Sequence, residues 1–329
     1  MKKTWLAVLI IAVIAIGAWM IFGSKNSSLD TSKTIKVGIS QIVSHPGLDS
    51  VKNGIYSGFA KAGYTEGKNI IFDFQNAQGD MSVNQAIAQK FANGVYDLII
   101  PLSTPSAQAI ANLIKERPIV FGAVTDPVSA GLVKSKEKPG GNITGTSDIT
   151  LIKQQLELLK KIKPDVKKVG IVYNPGEANT QYGLDQTKQY GEAMGLEFVT
   201  APANNTNEIL SAARSIADKV DAFYMTTDNT VLAGQDALIK VSIEFKKPLI
   251  SLDQSGVENG ALATLSTNYE KVGERTAEIA IRVLKGEKPG DISVLGVTDA
   301  DIFINTTTAQ KIGITFPQDL TSQAKQIYK

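Results

Sequence analysis

The chain has 329 residues, enough at roughly 100–200 residues per domain for two domains with full cores. Lys and Arg number 34 against 32 Asp and Glu, and without Lys2, Lys3 and Lys25 the balance is 31 against 32, so no basic face exists to track nucleic-acid phosphates. There is no cysteine and only one histidine, which excludes disulfides, thiolate nucleophiles, lipid-modified cysteine, thiol-bound zinc and histidine-rich metal sites.

Lys2 and Lys3 precede an uncharged apolar run from Trp5 to Phe22. Eighteen residues are just long enough to cross a bilayer core as a helix, and the flanking lysines favour a body on the outer side. A cleaved signal would have an apolar stretch of about 7–15 residues and then a small-x-small site. Ala15-Ile16-Gly17 is a poor one, so a retained anchor is favoured over a cleaved signal. Residues 24–33 read as a polar linker.

The body then alternates β-rich runs with amphipathic segments. The first set has strands at Thr34–Ser40, Asn69–Phe74, Tyr96–Pro101 and Ile119–Ala123, with helices at Ser50–Ala62, Ser82–Asn93 and Pro105–Lys115 between them. The pattern restarts with a helix at Leu151–Ile162. Strands follow at Lys168–Tyr173, Glu197–Thr200, Ala222–Met225 and Pro248–Ser251, with helices at Thr180–Met194, Glu208–Ala217 and Val231–Phe245. Later elements are strands at Gly260–Ser266 and Ala300–Ile304 and a helix at Tyr269–Leu284, with Gly286 placed for a left-handed cap. Such alternation predicts an α/β protein of two lobes built on parallel sheets.

Ligands of open parallel sheets bind beyond the carboxyl ends of the strands. Those ends carry Gln41, then Ser103-Thr104-Pro105-Ser106, then Thr125-Asp126-Pro127. The second half offers Tyr173-Asn174-Pro175-Gly176-Glu177, Thr227-Asp228-Asn229 and Asp253-Gln254. Thr104 is placed as a helix N-cap with Pro105 at the first helical position, which leaves free amides and hydroxyls for an anion. Asp228 and Asn229 suit an ammonium opposite, although both also serve as caps. Asn174 and Glu177 divide evenly between turn and ligand roles, Asp253 is similar, and Asp126-Pro127 and Gly140-Gly141-Asn142 read as turns or hinges. His45 has no triad partners and reads as a loop or pocket-lining residue. Tyr173, Tyr224 and Phe121 read as core aromatics, one or two of them available to stack on a ligand. Dinucleotide, P-loop and zincin motifs are missing, and no cofactor or metal is expected.

Eight segments occur in order across residues 36–315: ISQIVSHPGLDSVKNG, NAQGD, STPSAQA, VFGAVTDPVSAGLV with PGGNITGTSD, YNPGEAN, TTDN and GALATLSTNYEKVG. Together they resemble the ABC-transporter substrate-binding family of the tryptophan/tyrosine-binding type, with a type I periplasmic-binding-protein fold. The resemblance implies two Rossmann-like lobes joined by three crossovers, the first formed by residues 34–147 plus about 268–290, the second by 148–267 plus about 291–329. It matches Ser103, Thr104 and Ser106 to a carboxylate-side loop, and Asp228 and Asn229 to an amino-side loop. It further implies a monomer that captures a small α-amino acid outside the membrane and hands it to an ABC permease. A ligand-sensing ectodomain and an extracellular α/β enzyme are the other classes that such a cleft serves.

Overall fold

The computed structural model describes residues 34–148, 151–296 and 299–329. The apolar run at Trp5–Phe22 and the linker after it lie outside the described residues, among which no helix is long and apolar enough to cross a membrane.

The first sheet holds β1 (Ile35–Gln41), β2 (Ile70–Asn76), β3 (Leu98–Leu102), β4 (Ile119–Phe121) and β5 (Ile143–Gly145), ordered β2-β1-β3-β4-β5 and parallel throughout. Its helices are α1 (Pro46–Lys61), α2 (Met81–Asn93) and α3 (Thr104–Leu113). The inner strands β3 and β4 are continuous apolar runs because both faces are covered; Leu98, Ile99 and Ile100 are fully buried.

The second lobe begins with α4 (Ile152–Ile162), β6 (Lys168–Tyr173), α5 (Ala178–Ala193), β7 (Glu197–Pro202), α6 (Ile209–Ala217) and β8 (Ala222–Tyr224). It continues with α7 (Asn229–Ala233), α8 (Gln235–Glu244), β9 (Leu249–Ile250), α9 (Gln254–Glu258) and β10 (Ala263–Ser266). Next come α10 (Tyr269–Leu284), β11 (Asp301–Asn305), α11 (Thr306–Ile312), α12 (Gln318–Gln323) and β12 (Gln326–Tyr328). The sheet runs β12-β11-β10-β9-β8-β6-β7 and is parallel except between β10 and β11. That antiparallel pair is a departure from the all-parallel expectation; the chain returns to this sheet by its far edge.

Helix α10 belongs to the first core, although it follows ten strands in sequence. Its Val272, Ala277 and Ala280 share that core with Val37 and Ile39, as do Ile292 and Val294 beyond it. The crossing of α1 and α10 is close because Gly54 and Gly273 lie in it. A Cβ on Gly54 would lie 2.0 Å from the Glu270 carbonyl oxygen, and one on Gly273 2.0 Å from that of Val51.

Several elements differ from the sequence expectations. Helix α1 starts at Pro46 and not at Ser50, since His45 caps it by accepting the Leu48 amide on Nδ1 at 3.4 Å. The helix expected over Val231–Phe245 is two, broken at Gly234. There a Cβ would meet Ile209 Cδ1 at 2.5 Å, so the chain bends where the neighbouring helix leaves no room for a side chain. Gly140-Gly141-Asn142 is followed at once by β5 on the sheet edge, where no strand was expected. Gly286 has φ +99° just past α10, a conformation that favours glycine.

Both sheets repeat the order 2-1-3-4-5, as β2-β1-β3-β4-β5 and β7-β6-β8-β9-β10. In that order the crevice opens between the first and third strands, where the connections leave in opposite directions. The loops after β1 and β3 flank one switch point, and those after β6 and β8 flank the other.

Candidate functional site

On the first lobe, β3 ends at Leu102 and the chain turns through Ser103, with φ +73° and ψ 166°. A non-glycine residue in that region is strained by about 1–3 kcal/mol and persists only where its surroundings hold it. The Ser103 amide donates to the Gly122 carbonyl oxygen at 2.9 Å, which pins the turn. Ser103, not Thr104, is the N-cap of α3, with Pro105 one place further in, and its hydroxyl does not cap. The Ser103 and Thr104 hydroxyls are thereby left free, buried at 3% and 2% exposure and without a hydrogen-bond partner. Nearby Ala123, just after β4, is also left-handed, with φ +52°.

On the second lobe, two carboxylates serve the start of α7. Asp228 caps it: Oδ1 accepts the Val231 amide at 2.9 Å, and Oδ2 accepts the Asn174 amide at 2.6 Å and the Thr180 hydroxyl at 3.0 Å. Glu177 clamps it from the loop after β6, at the start of α5. Its Oε1 accepts the Thr230 amide and hydroxyl at 3.0 and 2.8 Å. Its Oε2 accepts the Asn229 amide at 3.1 Å, the Asn179 side-chain amide at 2.9 Å and the Asn229 side-chain amide. Burial, and then the Glu177 charge, push the Asp228 carboxyl well above its ordinary range.

Ser103, Thr104 and Thr125 from one lobe and Asn179, Thr227, Asp228 and Asn229 from the other enclose a cavity of about 20 Å³. Leu48, Leu232, Leu252 and Tyr269 give it an apolar wall, and Asp148 and His45 complete it. Two crevices adjoin, one of about 310 Å³ sharing Asn229 and one of about 330 Å³ sharing Tyr269. Ten buried side-chain polar atoms lack a partner among the described residues, and five of them line this cavity: His45 Nε2, Ser103 Oγ, Thr104 Oγ1, Asp148 Oδ1 and Asn179 Oδ1. Buried polar atoms are nearly always paired, so this concentration marks a place built to meet polar groups that the chain does not itself supply. Burial pushes the Asp148 carboxyl up to about 6, partly offset by the Thr125 hydroxyl and its own amide. Burial, with Asp148 and Asp253 nearby, raises the Tyr269 phenol. Burial also lowers His45, against the pull of Asp253.

Of the strand-end residues picked out in the sequence, Ser103, Thr104, Asp228 and Asn229 line the cavity, as does His45. Ser106 turns away and donates to Asn84 Oδ1 at 3.4 Å. Gln41 donates to the Val43 carbonyl oxygen at 2.9 Å and Asp49 Oδ1 at 3.0 Å, bracing the loop after β1. Asn174 and Glu177 border the first crevice. Asp253 caps α9 and borders the second. Tyr173 packs on the second core, Phe121 lies in the first, and Tyr224 donates to Gln155 Oε1 at 2.7 Å. The lining residues with polar groups that the sequence did not single out are Asp148, Asn179 and Tyr269. Asp148 stands where the chain leaves the first sheet after β5 and Tyr269 where it re-enters with α10, so the signal for both was the crossover itself.

The family model for ABC transporter substrate binding proteins matches residues 36–328. The tyrosine-binding protein of Clostridioides difficile (strain R20291) is 43% identical over 289 residues, 88% of this chain and 84% of that one. A structure of an ABC domain in complex with L-Trp from Streptococcus pneumonia is 37% identical with a TM-score of 0.86, covering 90% of this chain and 100% of the other. The ligand-free, open structure of a Clostridium difficile substrate binding protein, 40% identical, covers the same shares with a TM-score of 0.68. With the doubly wound lobes and the cavity between their switch points, these likenesses establish that the chain belongs to the family of ABC transporter substrate-binding proteins.

Proposed function

We propose that this chain captures an aromatic α-amino acid between its lobes, outside the cytoplasmic membrane, and delivers it to an ABC permease without chemical change. The observation that carries the reading is the gathering of five unpartnered buried polar atoms around one cavity, four of them at the facing switch points. The first turn of α3 adds amides without intrahelical acceptors, which favour a carboxylate. The leucines and Tyr269 suit an apolar or aromatic side chain. The relatives named for tyrosine and for L-Trp point the same way.

Closure is the mechanism. A cavity of about 20 Å³ is far below the ~300–1,000 Å³ of small-molecule pockets, so a ligand enters only when the lobes part. The body is more similar to the L-Trp complex than to the ligand-free, open structure, although the latter is slightly closer in sequence. The first lobe comprises residues 34–147 and about 268–296, because Ile292 and Val294 lie in its core and Thr146 bridges to Leu295. The hinge lies where the chain passes from one lobe to the other, between β10 and α10 at residues 266–269 among the described residues. The run at Trp5–Phe22 holds the body, a monomer, at the outer face of the membrane. Small-angle scattering with and without saturating L-tyrosine or L-tryptophan tests closure: the radius of gyration should fall on binding. An unchanged radius with bound ligand would mean a rigid pair of lobes.

A further inference from the structure

An α-ammonium needs acceptors with free lone pairs, best of all a carboxylate. Four acidic residues stand at or beside the cavity, and two of them are engaged through both oxygens. Both oxygens of Glu177 accept from the Asn179, Asn229 and Thr230 groups. Both oxygens of Asp228 accept from Val231, Asn174 and Thr180. Asp253 Oδ1 accepts the Gly256 amide and the Ser255 hydroxyl, and its crevice is the outer one. Asp148 differs. It lines the central cavity and is 8% exposed, and although the Thr125 hydroxyl and its own amide bond the carboxyl, its Oδ1 has no partner.

Resting on the amino-acid reading above, we infer that Asp148, not Asp228, is the group that receives the ligand's α-ammonium. The Ser103 and Thr104 hydroxyls and the first turn of α3 face the same cavity and take the α-carboxylate. Both polar ends of the ligand are then held by the first lobe and its crossover. The second lobe contributes neutral groups, Asn179 Oδ1 among them, and stays internally satisfied through Asp228 and Glu177. Ammonium recognition at a crossover also ties occupancy to the hinge: the ligand neutralises a buried carboxylate at the point where the chain passes between lobes.

The test is calorimetry of L-tryptophan and of indole-3-propionate, which lacks only the amino group, with L-tyrosine and 3-(4-hydroxyphenyl)propionate as a second pair. The full chain, Asp148→Asn and Asp228→Asn are compared. Asp148→Asn should weaken the amino acid at least about 30-fold, the low end for losing a buried charged partner, and leave the deaminated acid within about threefold. Asp228→Asn should weaken both members of a pair alike. The melting temperature of free Asp148→Asn should equal or exceed that of the parent, since the substitution removes a buried charge that has no ionic partner among the described residues. If Asp148→Asn keeps the preference for the amino acid, or if Asp228→Asn alone removes it, the assignment is overturned while the amino-acid reading stands. If the parent chain binds no amino acid, both fall.

Discussion

Glu177→Ala tests whether the acid after β6 is a clamp inside the second lobe or a ligand group. It would remove the acceptor for five hydrogen bonds and strand the Asn229 and Thr230 amides at the start of α7. Those amides have no intrahelical acceptor. Hydrogen bonds to a charged group contribute about 1.5–3 kcal/mol each. They are not additive here, because Asn229 and Thr230 each donate twice and because the Asp228 carboxyl gains once its charged neighbour is gone. The loss should therefore resemble the breaking of one buried charged network, about 3–5 kcal/mol. At about 2 °C per kcal/mol for a body of this size, the melting temperature should fall by roughly 6–10 °C. Glu177→Gln keeps the shape but turns a donor towards donors, and should lose less. Urea and thermal unfolding of the three proteins give the comparison. A Glu177→Ala protein as stable as the parent but unable to bind its ligand would refute the clamp and return Glu177 to the ligand set.

Two further outcomes follow from the same cavity. The Asp148 carboxyl is raised from 3.8 to about 6 in the folded protein, so its contribution favours folding while it is protonated and is lost as pH rises from about 4 to 6. The loss reaches up to about 3 kcal/mol at 1.36 kcal/mol per unit. Ligand affinity should run the other way, weakening below about pH 6 as Asp148 takes up a proton. Tyr269, His45, Asp228 and Asp253 surround the same space, so Asp148→Asn supplies the reference: its urea midpoint and its affinity should be flatter over pH 4–7, and unchanged slopes would assign the titration to a neighbour. Ser103→Gly relieves a left-handed φ of +73° and should stabilise the free protein by about 1 kcal/mol while weakening the ligand through the lost hydroxyl. A Ser103→Gly protein that is less stable, or binds as well, would contradict that trade.

Much of the fold was legible because β-rich runs such as LIIPL and KVGIVY end at turn and cap residues, and strand ends mark the ligand edge of a parallel sheet. Ser103 and Thr104 were found in that way. The allocation of the acids was not legible. Asp228 and Glu177 look as free in sequence as Asp148, and their engagement depends on partners 48 to 54 positions away, Asn229 for Glu177 and Thr180 and Asn174 for Asp228. Tyr269 reaches the cavity only because α10 returns to the first lobe, a long-range crossing set by Gly54 and Gly273, and Asp148 reaches it by following β5, an edge strand of only three residues. The break at Gly234 likewise depends on Ile209, on another helix.

The most direct measurement is isothermal titration of the purified full chain with L-tyrosine, L-tryptophan, L-phenylalanine and L-leucine, with myo-inositol and glucose as contrasts. Saturable binding of at least one aromatic amino acid at one site per chain, tighter than leucine and with no response to the sugars, is the expected result. Binding of a sugar with no response to any aromatic amino acid would contradict the assignment of this cavity to an aromatic α-amino acid.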